Sequence, residues 1–196
     1  IIGCGLIGFI YAKVLKQLNC EIVAIADPDI KRIKKTLKIC SEKTESYKNH
    51  LELFRNVEVN KYDIVAIAVP AKDQLKIIKK FSEIKKHILC EKPFTRNYKE
   101  AKIALKFCEK NKINLAVGFK MRYENVFQKL KEIILSKKLG NIKYVSISYY
   151  QKKPYQKWAI SNGIHRESFV HPLDLLMWIF GKKIKIKFFE KNYSRI

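Results

Sequence analysis

The chain opens with Ile1-Ile2-Gly3-Cys4-Gly5-Leu6-Ile7-Gly8, in which apolar residues lead into three glycines with the spacing G-x-G-x-x-G. This pattern predicts the end of a buried strand, a tight turn and the first turn of a helix. Gly3 would form the turn, Gly5 would let the backbone approach a pyrophosphate, and Gly8 would let the helix pack on the strand. Free N–H groups at a helix N-terminus bind phosphates. The candidate cofactor contacts in this stretch are Gly3, Gly5, Leu6 and Ile7.

A short apolar run and an acidic residue follow at the distance typical of dinucleotide binding. Residues 21–26 form the run, and Asp27 ends it. A carboxylate there accepts hydrogen bonds from the adenosine ribose hydroxyls and repels a 2′-phosphate, so NAD is favoured over NADP. Lys31 and Arg32 lie close by and leave NADP open. The simpler interpretation of Asp27 is a turn or helix-cap residue before Pro28.

Strand and helix patterns alternate as far as Gly118, which is typical of a parallel, doubly wound sheet. The clearest buried strands are the apolar runs 63–69 and 87–90. We therefore predict an α/β protein whose first domain, residues 1–118, is a dinucleotide-binding Rossmann domain.

The pattern changes after Gly118. It predicts two helices and two strands with one open face, the helices at 124–137 and 171–180 and the strands at 142–150 and 184–189. Residues 119–196 would form a second, partial α/β domain, because fewer than 80 residues are few for an independent core.

The composition favours an ordered protein with a large positive charge. The 196 residues are 47% hydrophobic, and the net charge of +23 is spread along nearly every predicted helix. That spreading is typical of a lysine-rich solvated surface, so the charge alone does not favour nucleic-acid binding. No apolar run reaches the roughly 18 residues of a membrane span. The five scattered cysteines predict reduced thiols in a cytoplasmic protein.

Lys92 is the first candidate for chemistry. It lies just beyond the carboxyl end of a predicted parallel strand, where open α/β sheets bind ligands. A lysine near a nicotinamide ring can polarise a substrate oxygen and stabilise its developing negative charge. Pro93 follows, and a cis Lys92–Pro93 bond is a plausible device for directing the side chain. The alternative is one surface lysine among many.

His171 is the second candidate, because histidine accepts and returns protons near neutral pH. Asp174 lies three residues later on the same predicted helix and could sit beside it, and Glu167 lies four residues before. A histidine in front of an apolar helix is more often a cap or a satisfied core residue. His165 and His171 lack an evident third ligand, so we predict no metal site.

With these residues assembled, the chain resembles the Gfo/Idh/MocA oxidoreductase family. The matching segments follow one consistent order along nearly the whole chain: 2–8, Val69-Pro70, Glu91-Lys92-Pro93, 118–123, 139–142 and 171–181. The Glu-Lys-Pro segment and the histidine helix are far more specific than the glycine turn.

The resemblance implies a Rossmann domain followed by an α/β domain whose open sheet faces the substrate and often mediates oligomerisation. It also implies reversible NAD(P)-dependent oxidation of a hydroxyl on a sugar, polyol or related small molecule. Lys92 matches the lysine at the family's reacting centre, and His171 matches its acid/base histidine. Glu167 stands where the family commonly has an aspartate. Further cofactor contacts implied by the resemblance are Pro70, Gln74, Glu91 and Lys92.

Three departures from the family pattern affect the nicotinamide end of the site. Ala71 and Gln74 stand where the family often has asparagine and histidine, and Lys120 replaces a common asparagine. Members of the family are also usually much longer, so we expect a fragment or a truncated gene product with an incomplete substrate sheet. A catalytically inactive nucleotide-binding or interaction module is therefore the alternative to an active dehydrogenase.

Overall fold

The computed structural model describes residues 1–149 and 168–181, and the chain divides into two compact units, Ile1–Gly118 and Phe119–Ile196. The predicted strand at 184–189, Tyr150, His165 and Glu167 lie outside the described residues. Within the described ranges, no helix combines the length and the apolar character needed to cross a membrane.

The first unit is built on parallel strands that pair in register. These strands are β1 (Ala24–Ala26), β2 (Glu45–Tyr47), β3 (Ile64–Ile67), β4 (His87–Cys90) and β5 (Leu115–Val117). β1 pairs with β2, and β3 pairs with β4, which pairs with β5. Ile2 forms parallel bridges to both Ala26 and Ile67, so it joins the two groups of strands. The order reverses at Ile2, which is the topological switch point of a doubly wound sheet.

Helices connect these strands. In the first unit they are α1 (Leu6–Gln17), α2 (Ile30–Leu37), α3 (His50–Asn56), α4 (Ala71–Glu83) and α5 (Tyr98–Lys110). α2, α3 and α5 begin where the side chains of Asp29, Asn49 and Asn97 accept backbone N–H bonds from the first turn. Such caps satisfy amide groups that have no partner inside the helix.

Apolar side chains cover both faces of the sheet. One cluster includes Ala24, Ala26 and Phe81, with Phe54 meeting the Phe81 ring edge-on at 5.3 Å. The other includes Ile25 with Ala12 of α1 and Ile33 of α2. Successive residues of β1 thus point to opposite faces, as the two-residue period of a strand requires. The predicted α/β fold with a doubly wound parallel sheet is confirmed.

The second unit contains a 3-10 turn at Lys120–Tyr123, α6 (Asn125–Leu135) and α7 (Val170–Phe180). The strand predicted at 142–150 does not form over its described part. Residues 142–149 have no regular structure, and all of them are exposed. Alternation decides which way side chains point, but a strand also needs a neighbour to complete its hydrogen-bonded ladder. No segment of the described residues supplies that neighbour.

Candidate dinucleotide site

The carboxyl edge of the sheet brings the distant sequence motifs together. The backbone N–H of Gly3 donates to Ala26 O at 2.7 Å, and the N–H of Ala68 donates to Ile2 O at 2.8 Å. One strand further, the N–H of Glu91 donates to Ile67 O at 2.9 Å. The glycine turn and the Glu-Lys-Pro segment therefore leave the same edge of the sheet, separated by the chain that leaves β3.

The glycine turn is shaped by close backbone contacts. Gly3 has φ +94°, and a Cβ there would lie 2.4 Å from Ala68 O. A Cβ on Gly8 would lie 1.8 Å from Gly3 O, so the helix could not pack this closely on the turn. At Gly5, by contrast, no atom of the described residues lies within 4 Å of an added Cβ. The backbone at Gly5 thus faces open space into which a ligand can fit.

The N-terminus of α1 faces the same space. Gly5 is its N-cap residue, and no side chain of the described residues caps its first turn, which holds no acidic residue. The Leu6 side chain is 72% exposed. Uncapped N–H groups and the positive end of the helix dipole suit a pyrophosphate. The residues present therefore fit the diphosphate of NAD.

Asp27 lies beneath the glycine turn. It is 4% exposed, and its Oδ2 accepts the Cys4 N–H at 2.7 Å while its Oδ1 accepts the Asp29 N–H at 2.8 Å. The carboxylate thus holds the turn and also forms the bond expected of a turn residue before Pro28. Arg32 pairs with Asp29 at 3.3 Å, so a local carboxylate already offsets this positive charge.

The Lys92 segment begins at the end of β4. The Lys92–Pro93 bond is cis, as the sequence suggested. The Glu91 carboxylate accepts a hydrogen bond from the Tyr11 hydroxyl of α1 and another from the Lys92 N–H at 3.1 Å. Burial, and then the bond to Glu91, raise the pKa of Tyr11, so the phenol stays protonated as the donor. A Cβ on Gly118 would lie 2.7 Å from Glu91 Oε1, so a glycine at this position makes room for the carboxylate.

The position of the Gln74 side chain differs from the expectation that it contacts the cofactor directly. Its side chain is fully buried in α4, and its Nε2 donates to Val69 O at 3.2 Å and to Glu91 O at 3.0 Å. Its Oε1 accepts the Thr95 N–H at 2.8 Å. This placement favours a supporting role beneath the crevice. Pro70, one residue before α4, is exposed at the same edge.

In the second unit, His171 lies in the first turn of α7 and is 7% exposed. Asp174, expected beside it on the same helix, binds the Arg122 guanidinium through both oxygens, with Arg122 Nε donating to Oδ2 at 2.7 Å. The bond to Asp174 is the largest cause that raises the pKa of Arg122. The ion pair fastens the 3-10 turn to the histidine helix. Among the described residues, no group of three or more His, Cys, Asp or Glu side chains could hold a metal ion.

Sequence reasoning missed Tyr11 and Arg122. Tyr11 belongs to the apolar stripe of α1, yet a buried tyrosine hydroxyl usually needs a partner, and that requirement was the available signal. Arg122 lies in a segment matched to the family, but its partner is 52 residues away in sequence. No local pattern identifies that pairing.

A glycine turn at the switch point of a parallel sheet, with an uncapped helix behind it, defines a dinucleotide-binding protein of the Rossmann class. Residues 1–119 match the model of the GFO/IDH/MocA oxidoreductase family with an NAD-binding Rossmann fold, and residues 127–189 match a GFO/IDH/MocA C-terminal domain. The chain belongs to the GFO/IDH/MocA family, and the predicted family and NAD-binding domain are confirmed.

Curated relatives are similar along nearly the whole chain. The uncharacterised oxidoreductase YrbE of Bacillus subtilis is 28% identical over 188 residues, which cover 94% of this chain and 54% of YrbE. The myo-inositol 2-dehydrogenase of Thermotoga maritima is 28% identical over 189 residues, which cover 94% of this chain and 55% of that protein. The chain therefore spans about half the length of these relatives.

Solved structures share the fold. A putative myo-inositol dehydrogenase from Sinorhizobium meliloti superposes with a TM-score of 0.81 at 24% identity, covering 93% of this chain and 54% of that one. The WlbA dehydrogenase from Bordetella pertussis, in complex with NADH and UDP-GlcNAcA, superposes with a TM-score of 0.78 at 19% identity, covering 92% and 54%.

The substitution Gly5→Ala tests whether the glycine turn binds the diphosphate of NAD. Gly5 has φ −65°, which alanine adopts without strain, so the free energy of unfolding should change by less than about 0.5 kcal/mol. The added methyl group would occupy the space for the pyrophosphate and raise the Kd for NADH at least about tenfold by calorimetry. Val14→Ala, on an exposed position of the same helix, is the control and should leave the Kd unchanged. An unchanged Kd in Gly5→Ala would place the diphosphate elsewhere.

The substitution Asp174→Asn tests the ion pair of the second unit. Asp174 is buried while Arg122 is 36% exposed, so loss of the charge should lower the free energy of unfolding by about 1–3 kcal/mol. Urea unfolding followed by tryptophan fluorescence reports on this unit, since Trp178 lies in α7 and the sequence has no tryptophan before residue 119. Lys129→Ala breaks an exposed pair with Glu132 and should cost less than about 0.5 kcal/mol. Equal effects of the two variants would contradict the assignment.

Proposed function

We propose that the protein is an NAD-dependent dehydrogenase that moves hydride between NAD and a hydroxyl or keto group of a sugar, polyol or related small molecule. The observation that carries the proposal is the shared edge of the sheet, where the Lys92 segment and the phosphate-binding turn are separated only by the chain leaving β3. Two similar proteins, a myo-inositol 2-dehydrogenase and a dehydrogenase in complex with UDP-GlcNAcA, support a carbohydrate-like substrate.

The cofactor contacts in this proposal follow the carboxyl edge. The amides near Gly3, Gly5, Leu6 and Ile7 hold the diphosphate, and Asp27 faces the adenosine ribose. A 2′-phosphate would meet the Asp27 carboxylate, so we propose NAD rather than NADP. Pro70, Glu91 and Lys92 line the route towards the nicotinamide end, with Gln74 beneath them.

Bound NAD supplies the hydride acceptor in this mechanism. The Lys92 ammonium donates a hydrogen bond to the reacting substrate oxygen and stabilises the negative charge that develops there. His171 accepts the proton of the substrate hydroxyl during oxidation and returns it in the reverse direction. Glu167, which stands at the family's aspartate position, is the third member of the proposed catalytic set. In this proposal, the second unit carries the substrate-binding surface and a contact between copies of the chain.

Reduction of NAD by a panel of sugars and polyols, followed by stopped-flow absorbance on the intact gene product, tests this function. Lys92→Ala and His171→Ala should each lower kcat by about a hundredfold or more, because each removes a group acting on the reacting oxygen or its proton. Lys99→Ala removes an exposed lysine of α5 and should leave kcat unchanged, which controls for the loss of one positive charge.

Two results would contradict the proposal. Unchanged turnover in both Lys92→Ala and His171→Ala would remove their assigned roles. Binding of NADH without turnover of any substrate in the panel would favour the alternative of a nucleotide-binding module.

A further inference from the structure

The segment from Glu91 to Thr95 is held at both ends by one side chain. Gln74 Nε2 donates to Glu91 O at 3.0 Å, one residue before Lys92, and Gln74 Oε1 accepts the Thr95 N–H at 2.8 Å, three residues after it. A single planar amide therefore fixes the separation of the two backbone groups that flank Lys92 and Pro93.

The same amide also binds the neighbouring segment of the edge. Its second N–H reaches Val69 O at 3.2 Å, in the chain that leaves β3 beside the glycine turn. Gln74 is fully buried and Thr95 is 2% exposed, so water has no access to replace these bonds. Buried polar groups that lose their partners are costly, which makes this arrangement stiff.

A second contact holds the segment from the opposite side. Tyr11 of α1 donates to the Glu91 carboxylate, whose other oxygen accepts the Lys92 N–H. The first turn of α1 follows the glycine turn directly. This contact therefore links the Lys92 backbone to the helix whose N-terminus would bind the diphosphate.

We infer that Gln74 is a positioning residue for Lys92, clamping the backbone on both sides of it, and that Tyr11 completes the hold through Glu91. This inference rests on the proposed role of Lys92 at the nicotinamide end of the site. Gln74 acts through the backbone of residues 91–95 and needs no contact with NAD or substrate.

The test compares Gln74→Met with Ser82→Ala. Methionine keeps the length of the side chain and removes all three hydrogen bonds. Ser82 is equally buried in α4, but among the described residues its hydroxyl donates to Lys79 O alone, at 2.8 Å within the same helix, so Ser82→Ala is the matched structural control. Small displacements of a catalytic group are costly, so Gln74→Met should lower kcat by about tenfold to a hundredfold and raise the KM for NAD by no more than about fivefold. Ser82→Ala should alter neither constant.

Binding measurements test the role of Gln74 even if the protein turns over no substrate. ADP-ribose carries the diphosphate but lacks the nicotinamide, so Gln74→Met should weaken NADH binding by about fivefold and ADP-ribose binding by less than about twofold in calorimetry. Tyr11→Phe keeps the ring and removes only the hydroxyl, and it should shift the same ratio in the same direction. Tyr11→Phe provides the test if Gln74→Met does not fold.

The outcomes separate this inference from the proposed function. A selective loss of NADH affinity in a protein that turns over no substrate would support the clamp while the dehydrogenase proposal fails. An active wild-type protein in which Gln74→Met and Ser82→Ala have equal kcat values would overturn the clamp alone. Equal weakening of NADH and ADP-ribose in Gln74→Met and Tyr11→Phe would also overturn it.

Discussion

Ile2 is the residue on which the first unit depends. Its N–H donates to Ala66 O at 2.8 Å and its carbonyl accepts the Ala68 N–H at 2.8 Å, while the flanking Ile1 and Gly3 bond to Ala26. One short extended stretch thus joins β1 and β2 to β3, β4 and β5. Because the chain crosses to opposite faces on either side of this stretch, the loops part there and open a crevice at the carboxyl edge.

Polar groups at that edge are used mainly for rigidity. Asp27 holds the glycine turn, Glu91 binds Tyr11 and the Lys92 amide, and Gln74 bridges three backbone positions. Each of these side chains satisfies a backbone or hydroxyl group where water has limited access. A site built this way can keep Lys92 at one backbone position before any ligand binds, which lowers the cost of ordering it during the reaction.

Local patterns in the sequence were sufficient for most of the first unit. The apolar runs 63–69 and 87–90 form strands almost where they were predicted, at Ile64–Ile67 and His87–Cys90, because burial leaves a local signal in the sequence. The partners of Gln74 and Asp174 could not be predicted, since each depends on segments that only the tertiary fold brings together. The segment 142–149 shows that an alternating pattern is not sufficient to form a strand, because the pattern specifies no pairing partner.

We propose that one dinucleotide lies along the carboxyl edge from the glycine turn to Lys92. Backbone amide chemical shifts recorded by NMR during titration with NADH and, separately, with ADP-ribose test it most directly. We expect both ligands to shift the amide signals of Gly5, Leu6 and Ile7, and NADH alone to shift those of Glu91 and Lys92. Shifts that spare the glycine turn, or NADH binding that leaves Glu91 and Lys92 unperturbed, would contradict it.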